Sequence, residues 1–185
     1  MPVRGALPQA LITAGVALLD EEGAEGLTLR RVAARAGVSH AAPAHHFGGM
    51  PGLKIAIATK GFQSFLHDLA ATRDSLPEGT SPFQALLAVN MTYIRFAGSR
   101  TALFRLMFDQ LPTQDPELRN TAHGSYLVLK GLCAPFTASR PAAAFEAAVW
   151  ALTHGYAALN IGKTYLPESQ IRTSSYEDAL RLLVG

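Results

Sequence analysis

Between Gly26 and His67 the chain carries Arg30, Arg31, Arg35, Lys54, Lys60 and four histidines, and neither Asp nor Glu. A cationic stretch free of carboxylates attracts phosphates, and an arginine within it can also pair in bidentate fashion with guanine in a DNA major groove. The chemistry on offer is recognition of a polyanion. Three of the histidines, His40, His45 and His46, lie close in sequence, which raises the question of a metal. Neighbouring residues point about 100° apart on a helix, no Cys or carboxylate stands nearby, and zinc needs three or four convergent ligands, so neither a metal ion nor a cofactor is expected. No Ser/His/Asp set, phosphate-cradling glycine loop or acidic pair occurs at suggestive spacing, and the chain is not read as an enzyme.

The formal net charge is only +2, so the distribution matters more than the total. Asp20, Glu21, Glu22 and Glu25 precede the cationic stretch, and the residues after Lys60 carry ten basic and ten acidic side chains. The positive patch therefore belongs to the first third of the chain. Thr28 is placed to cap a helix from about Thr28 to Ala36, with Leu29, Val32 and Ala33 on its inner face. Gly37 supplies the positive φ that stops it. Ser39 is expected to cap a second helix from His40 to about His46, which makes the connection a short helix-turn-helix turn. Pro43 is then awkward, because as fourth residue of a short helix it deletes a hydrogen bond.

Further elements are expected as helices over about Pro8–Glu22, with Ile12, Val16 and Leu19 as its apolar stripe, and from near Pro51 to Arg73. Others follow over Phe83–Gly98, Thr101–Phe108, Pro116–Thr137, Pro141–Lys163 and Ser175–Val184, with loops at Pro77–Pro82 and Leu111–Pro116. No strand pair or repeat is legible, and the fold class is all-α. The expected division is a helix-turn-helix DNA-binding domain over residues 1–50 and a helical regulatory and dimerisation domain over 51–185. With 49% hydrophobic residues the chain is long enough for a packed core. The single cysteine, Cys133, excludes an intrachain disulfide and reads as a small buried apolar group. Neither a signal peptide nor a membrane span is legible, and a cytoplasmic location is expected.

The Pro141–Lys163 segment is apolar around almost its whole circumference. Phe145, Val149, Leu152, Tyr156 and Leu159 form a bulky stripe, Ala148, Ala151, Gly155 and Ala158 a small one, and only Glu146, Thr153 and Asn160 a narrow polar line. Such a helix must be buried on nearly all sides, and a second subunit can supply the cover that one small subunit lacks. Ala148, Ala151, Leu152, Gly155, Ala158 and Leu159 are the expected homodimer interface, together with the C-terminal helix.

Taken together, Thr28, Val32-Ala33, Ala36-Gly37-Val38-Ser39, His46-Phe47 and Leu53 resemble the N-terminal pattern of the tetracycline-repressor (TetR) family of bacterial transcriptional regulators. Two positions that contact DNA in that family differ, with Ala44 where Tyr is common and Met50 where Lys is common. Tyr93–Ala97, Ala102–Phe108 and Val149–Gly155 look like segments of one subgroup, the last like its Trp…His-Gly signature.

The resemblance implies double-stranded operator DNA and a small-molecule effector as partners, and release of a repressor by that effector. Arg30 is the leading candidate for a base contact; His40, Ala41 and Ala44 face base edges, and Thr28, Ser39, His45 and His46 complete the DNA set, several of them toward phosphates. The family's body encloses an effector pocket. Here its candidates are Phe62, Phe65, Arg95, Phe104, Met107, Phe108, Tyr126, Trp150 and His154, with Arg105 a further polar group, and their character points to an apolar or aromatic ligand. A helical binding module of the same fold that has lost operator recognition is the alternative.

Overall fold

A computed structural model of the chain describes residues 6–159 and 174–185, and every regular element among them is helical. In chain order these are α1 Ala6–Glu22, α2 Leu29–Arg35, α3 Ala42–Phe47, α4 Met50–Asp74, α5 Pro82–Ser99, α6 Thr101–Asp109, α7 Pro116–Cys133, α8 Ala142–Leu159 and α9 Tyr176–Val184. Asn160 to Lys163, expected to continue the eighth helix, lie outside the described residues. Two compact units emerge. The first takes the residues up to Ser64 together with Arg100–Ala122, and the second Phe65–Ser99 with His123–Gly185.

In the first unit α1 buries Leu11, Ala14, Gly15, Leu18 and Leu19. Of the expected stripe only Leu19 is among them, and Ile12 and Val16 are half-buried. Apolar residues recur on more than one face of α1, so periodicity alone left its orientation undetermined; the spacing of the buried set, i, i+3, i+4, i+7, i+8, is that of a broad core-facing surface. Val32 and Ala33 of α2 are buried, as are Leu53 and Ile57 of α4 and Leu103, Phe104 and Met107 of α6. Phe108 stacks obliquely on Phe104 with ring centroids 4.7 Å apart and meets Phe62 edge-on at 5.4 Å.

In the second unit Leu86, Leu129, Cys133, Phe145, Val149, Tyr176 and Leu180 form one buried cluster. Burial pushes the Cys133 thiol up to about 12, with the charge of Glu146 adding to the effect. A relay of hydrogen bonds crosses this core. The Thr153 hydroxyl donates to the Val149 carbonyl at 2.7 Å, which leaves its oxygen to accept from Tyr176 at 2.8 Å, and Asn90 Nδ2 in turn donates to the Tyr176 hydroxyl at 2.8 Å. All three side chains are buried, so the relay satisfies groups that would otherwise be costly to enclose. It also fixes how α5, α8 and α9 meet. The start of α9 is capped by Ser175, whose Oγ accepts from the Asp178 N–H at 3.1 Å, and its end by Arg140, which donates to the Leu183 and Val184 carbonyls at 3.1 and 2.9 Å. The seventh helix stops at Cys133 rather than running to Thr137: Ala134–Phe136 tightens into a 3-10 turn at Pro135, which lacks the N–H to continue an α-helix.

The junction of α3 and α4 is the tightest place in the first unit. Gly48 and Gly49 adopt φ of +66° and +115°, and a β-carbon at Gly52 would overlap the carbonyl oxygen of Phe47. At Gly61 the added atom would instead meet the flexible end of Met107 at 2.7 Å. Gly52→Ala should therefore cost on the order of 1–3 kcal/mol or more in stability, and Gly61→Ala less, because Met107 can move and a backbone carbonyl cannot. Urea midpoints of the two variants check this; equal midpoints would remove the backbone-contact explanation.

Candidate nucleic-acid interface and effector site

The helix-turn-helix is built from local chemistry. Thr28 Oγ1 accepts the Arg31 N–H at 3.3 Å and starts α2. The stop is a Schellman motif, with the Val38 N–H on the Ala33 carbonyl at 3.0 Å, the Gly37 N–H on Ala34 at 3.1 Å, and Gly37 at φ +67°. α3 begins two residues later than the sequence reading placed it. His40 and Ala41 lie in the preceding turn, Ala41 is the N-cap residue, and no side chain caps the helix, so Ser39 does not cap it. The reason is Pro43. Starting at Ala42 puts this proline in the first turn, where a missing N–H is free of cost, and the expected distortion does not arise. Pro43 is buried, while Ser39, His40, Ala41, Ala44, His45 and His46 are exposed. The rings of His45 and His46 pack edge-on at 5.4 Å.

The cationic patch is smaller than composition suggests. Arg31 pairs with Glu22, and Arg35 with Glu21, which lowers the carboxyl of Glu21 and raises the guanidinium of Arg35 through their mutual hydrogen bonds. Arg100 holds Asp20 with its Nη2 2.7 Å from Oδ2. Three consecutive carboxylates at the C-terminal end of α1, where the helix dipole disfavours negative charge, are each met by an arginine. Exposed pairs of this kind add little stability, but they occupy two arginines that the bare sequence offers to phosphates. Arg30 is exposed and makes none of these pairs.

The nine side chains expected to line an effector site fall into two groups. Phe62, Phe104, Met107 and Phe108 belong to the first unit and Phe65, Arg95, Tyr126, Trp150 and His154 to the second. Phe65 packs edge-on against Tyr93 at 4.8 Å, and exposed Arg95 donates to Thr92 Oγ1 at 2.6 Å. Tyr126, Trp150 and His154 do come together. Tyr126 meets Trp150 edge-on at 6.1 Å, and His154 Nδ1 lies 2.8 Å from the Tyr93 hydroxyl. Burial lowers the pKa of His154, so the imidazole is uncharged near neutral pH. Burial also raises the Tyr93 hydroxyl well above its usual range, outweighing the hydrogen bond from Trp150.

Two members of this facet were missed by sequence reasoning, Tyr93 and Glu146. Glu146 and Thr153, members of the narrow polar line of this helix, are both buried. The Tyr126 hydroxyl donates to Glu146 Oε2 at 2.8 Å, and this bond, followed by burial, raises the Tyr126 pKa. The signal lay in the spacing. Phe145, Val149, Thr153 and Ala157 recur every four residues with Glu146 beside them, and a stripe of that spacing serves as a core face when each polar member has a donor or acceptor opposite. The opposite side of α8 is apolar: Ala147, Ala151, Ala158 and Leu159 are exposed, the last by 62%, and Leu182 of α9 by 87%. Between the two helices runs a shallow groove of about 450 Å³ lined by Ala148, Leu152, Ala179, Leu182 and Leu183.

Comparison with known proteins accounts for both ends of the chain. The profile of bacterial regulatory proteins of the tetR family matches residues 11–57, and that of the tetracyclin repressor-like C-terminal domain matches residues 86–183. Among solved structures, the chain is similar to a protein of unknown function from Rhodococcus sp. RHA1, at 24% identity and a TM-score of 0.75, over 97% of this chain and 92% of that one. It is similar to a transcriptional regulator from Rhodococcus sp. Rha1 at 25% identity and a TM-score of 0.65, over 96% and 93%. The transcriptional regulator FadR from Bacillus subtilis, solved in complex with stearoyl-CoA, shares the fold at 13% identity and a TM-score of 0.64, over 95% of each chain. No curated protein matches the chain. With an N-terminal helix-turn-helix and a C-terminal domain matched over more than half its length, the chain belongs to the tetracycline-repressor family of bacterial regulators.

Proposed function

We propose that the chain is a homodimeric one-component transcriptional repressor that leaves a palindromic operator when a small molecule binds its body. The observation that carries this reading is the outer face of the helix-turn-helix, where Arg30, Ala44, His45 and His46 stay exposed on helices whose inner faces are buried. Ala41 and Ala44 offer methyl groups to thymine, Arg30 a guanidinium to guanine, and Thr28, Ser39 and His46 groups for phosphates. The effector acts by population shift, favouring a body geometry in which the two heads no longer match successive major grooves. The Val149–Gly155 stretch supports placing the chain in the subgroup with a Trp…His-Gly C-terminal domain. The alternative, a binding module without operator recognition, is favoured by Ala44, by Met50 and by the capture of Arg31 and Arg35 in ion pairs.

Selection from a randomised DNA pool separates the two. The regulator enriches a two-fold symmetric site; enrichment of nothing at low salt, by the parent or by Ala44→Tyr with Met50→Lys, makes the module reading the correct one. On a selected site the double variant should bind more tightly, and its added lysine should steepen the salt slope by about 0.9 per subunit.

Arginine substitutions sort the cations. Arg30→Ala should weaken binding to the selected site by about tenfold or more, the scale of one lost bidentate base contact, whereas Arg31→Ala, whose side chain is held by Glu22, should weaken it far less. Titrations of both variants on one duplex give the ratio, and equal losses would displace Arg30 from the base-reading role.

The apolar side of α8 supports dimerisation through α8 and α9. Among the described residues a β-carbon at Gly155 meets nothing within 4 Å, so Gly155→Leu tests whether a partner packs on this side of α8. The cost is on the order of 1–3 kcal/mol per contact, read as a shift toward monomer in sedimentation. A variant that sediments as the parent does would move the interface elsewhere.

A further inference from the structure

We infer that the effector facet of the second unit is built for an organic cation, an ammonium or protonated aromatic amine held by the Glu146 carboxylate and the rings of Tyr126 and Trp150. This rests on the effector-controlled reading above and specifies the effector's charge. Glu146 is only 7% exposed. Among the described residues its one hydrogen bond comes from the Tyr126 hydroxyl to Oε2; Oε1 receives no donor, and no lysine or arginine forms an ion pair with it. One phenol is a single donor, and a carboxylate with one oxygen unpaired by the protein gains from a positive charge placed beside it.

Among the described residues no lysine or arginine pairs with this carboxylate, and His123 of α7 packs its ring on Tyr126 with centroids 6.1 Å apart. Trp150 stands one turn along α8 from Glu146 and is 41% exposed, so the rings beside the carboxylate can be reached from outside. Tyr126 makes its edge-on contact with Trp150 at 6.1 Å while its hydroxyl holds the carboxylate, so the one side chain links the anionic group to the exposed indole. Both attract cations, and aromatic faces do so most strongly when the cation is desolvated. His154, one turn further, does not supply the charge, because burial keeps its imidazole neutral near neutral pH. Among the described residues the facet thus sets a carboxylate with one unpaired oxygen near an exposed indole, so a flat or quaternary organic cation fits it better than a neutral aromatic of the same shape.

Benzyltrimethylammonium and its uncharged isostere neopentylbenzene test this, with the fluorescence of the chain's one tryptophan as reporter. On the unaltered chain the cation should quench Trp150 saturably, with affinity about tenfold or more above that of the isostere. Glu146→Gln keeps an acceptor for Tyr126 and removes the charge; it should erase that preference while leaving the isostere's affinity unchanged. Equal affinities on the parent, no binding of the cation, or an undiminished preference in Glu146→Gln would each overturn the assignment. The comparison on the parent decides the question even if the variant fails to fold. Release from a selected DNA site is measured separately. Glu146-dependent cation binding with no effect on DNA leaves the site standing and removes the effector-controlled reading, whereas probes that bind alike remove the site whatever happens on DNA.

Discussion

The second unit is organised around an inversion: α8 turns Glu146 and Thr153 inward and most of its alanines outward. A helix placed that way must satisfy each polar group inside the subunit, and it does so with tyrosines. Tyr176 answers Thr153 and Asn90, and Tyr126 answers Glu146. These bonds are directional where apolar contacts are not, so they select one rotation of α8 and one position of α9 among the many that apolar packing alone would tolerate. The outward alanines follow from that choice, because the rotation that seats Thr153 on Tyr176 is the one that exposes Ala151, Ala158 and Leu159.

The first unit solves a different problem. Two of its helices, α2 and α3, are short, and a six-residue helix such as α3 has little intrinsic stability. Its boundaries are set by local stops, the Schellman turn at Gly37 and the left-handed Gly48, and its position by buried Pro43 and the close passage of Gly52 beneath Phe47. The run Asp20-Glu21-Glu22 takes up arginines from α2 and from the start of α6, so charges that look spare in the sequence tie the helices to one another.

Most helix positions were legible because their ends are written in residues with a single physical reading: Thr28 and Ser175 as caps, Gly23 and Gly37 as stops, prolines in first turns. The start of α3 was misread because Ser39 is an equally good cap by composition, and only the requirement to place Pro43 without losing a hydrogen bond decides against it. Rotation about a helix axis was harder to read than its ends. In α1 and α8 apolar residues recur on several faces, and which face is inner depends on partners far away in sequence, such as Ile57 beneath Gly15 and Tyr176 beside Thr153. The candidate site shows the same divide. Tyr126, Trp150 and His154 were found from residue type, whereas Glu146 and Tyr93 required knowing what stands opposite them.

Cys133 carries one further consequence. Its thiol is fully enclosed in the cluster with Leu86, Val149 and Tyr176, and with its pKa pushed up to about 12 it holds almost no thiolate at neutral pH. Thiol reagents and mild oxidants therefore meet an inert atom for as long as that cluster stays closed. Because the chain has no second cysteine, the rate at which a maleimide labels it counts openings of this one cluster, and the protein carries its own clock for the breathing of its second core.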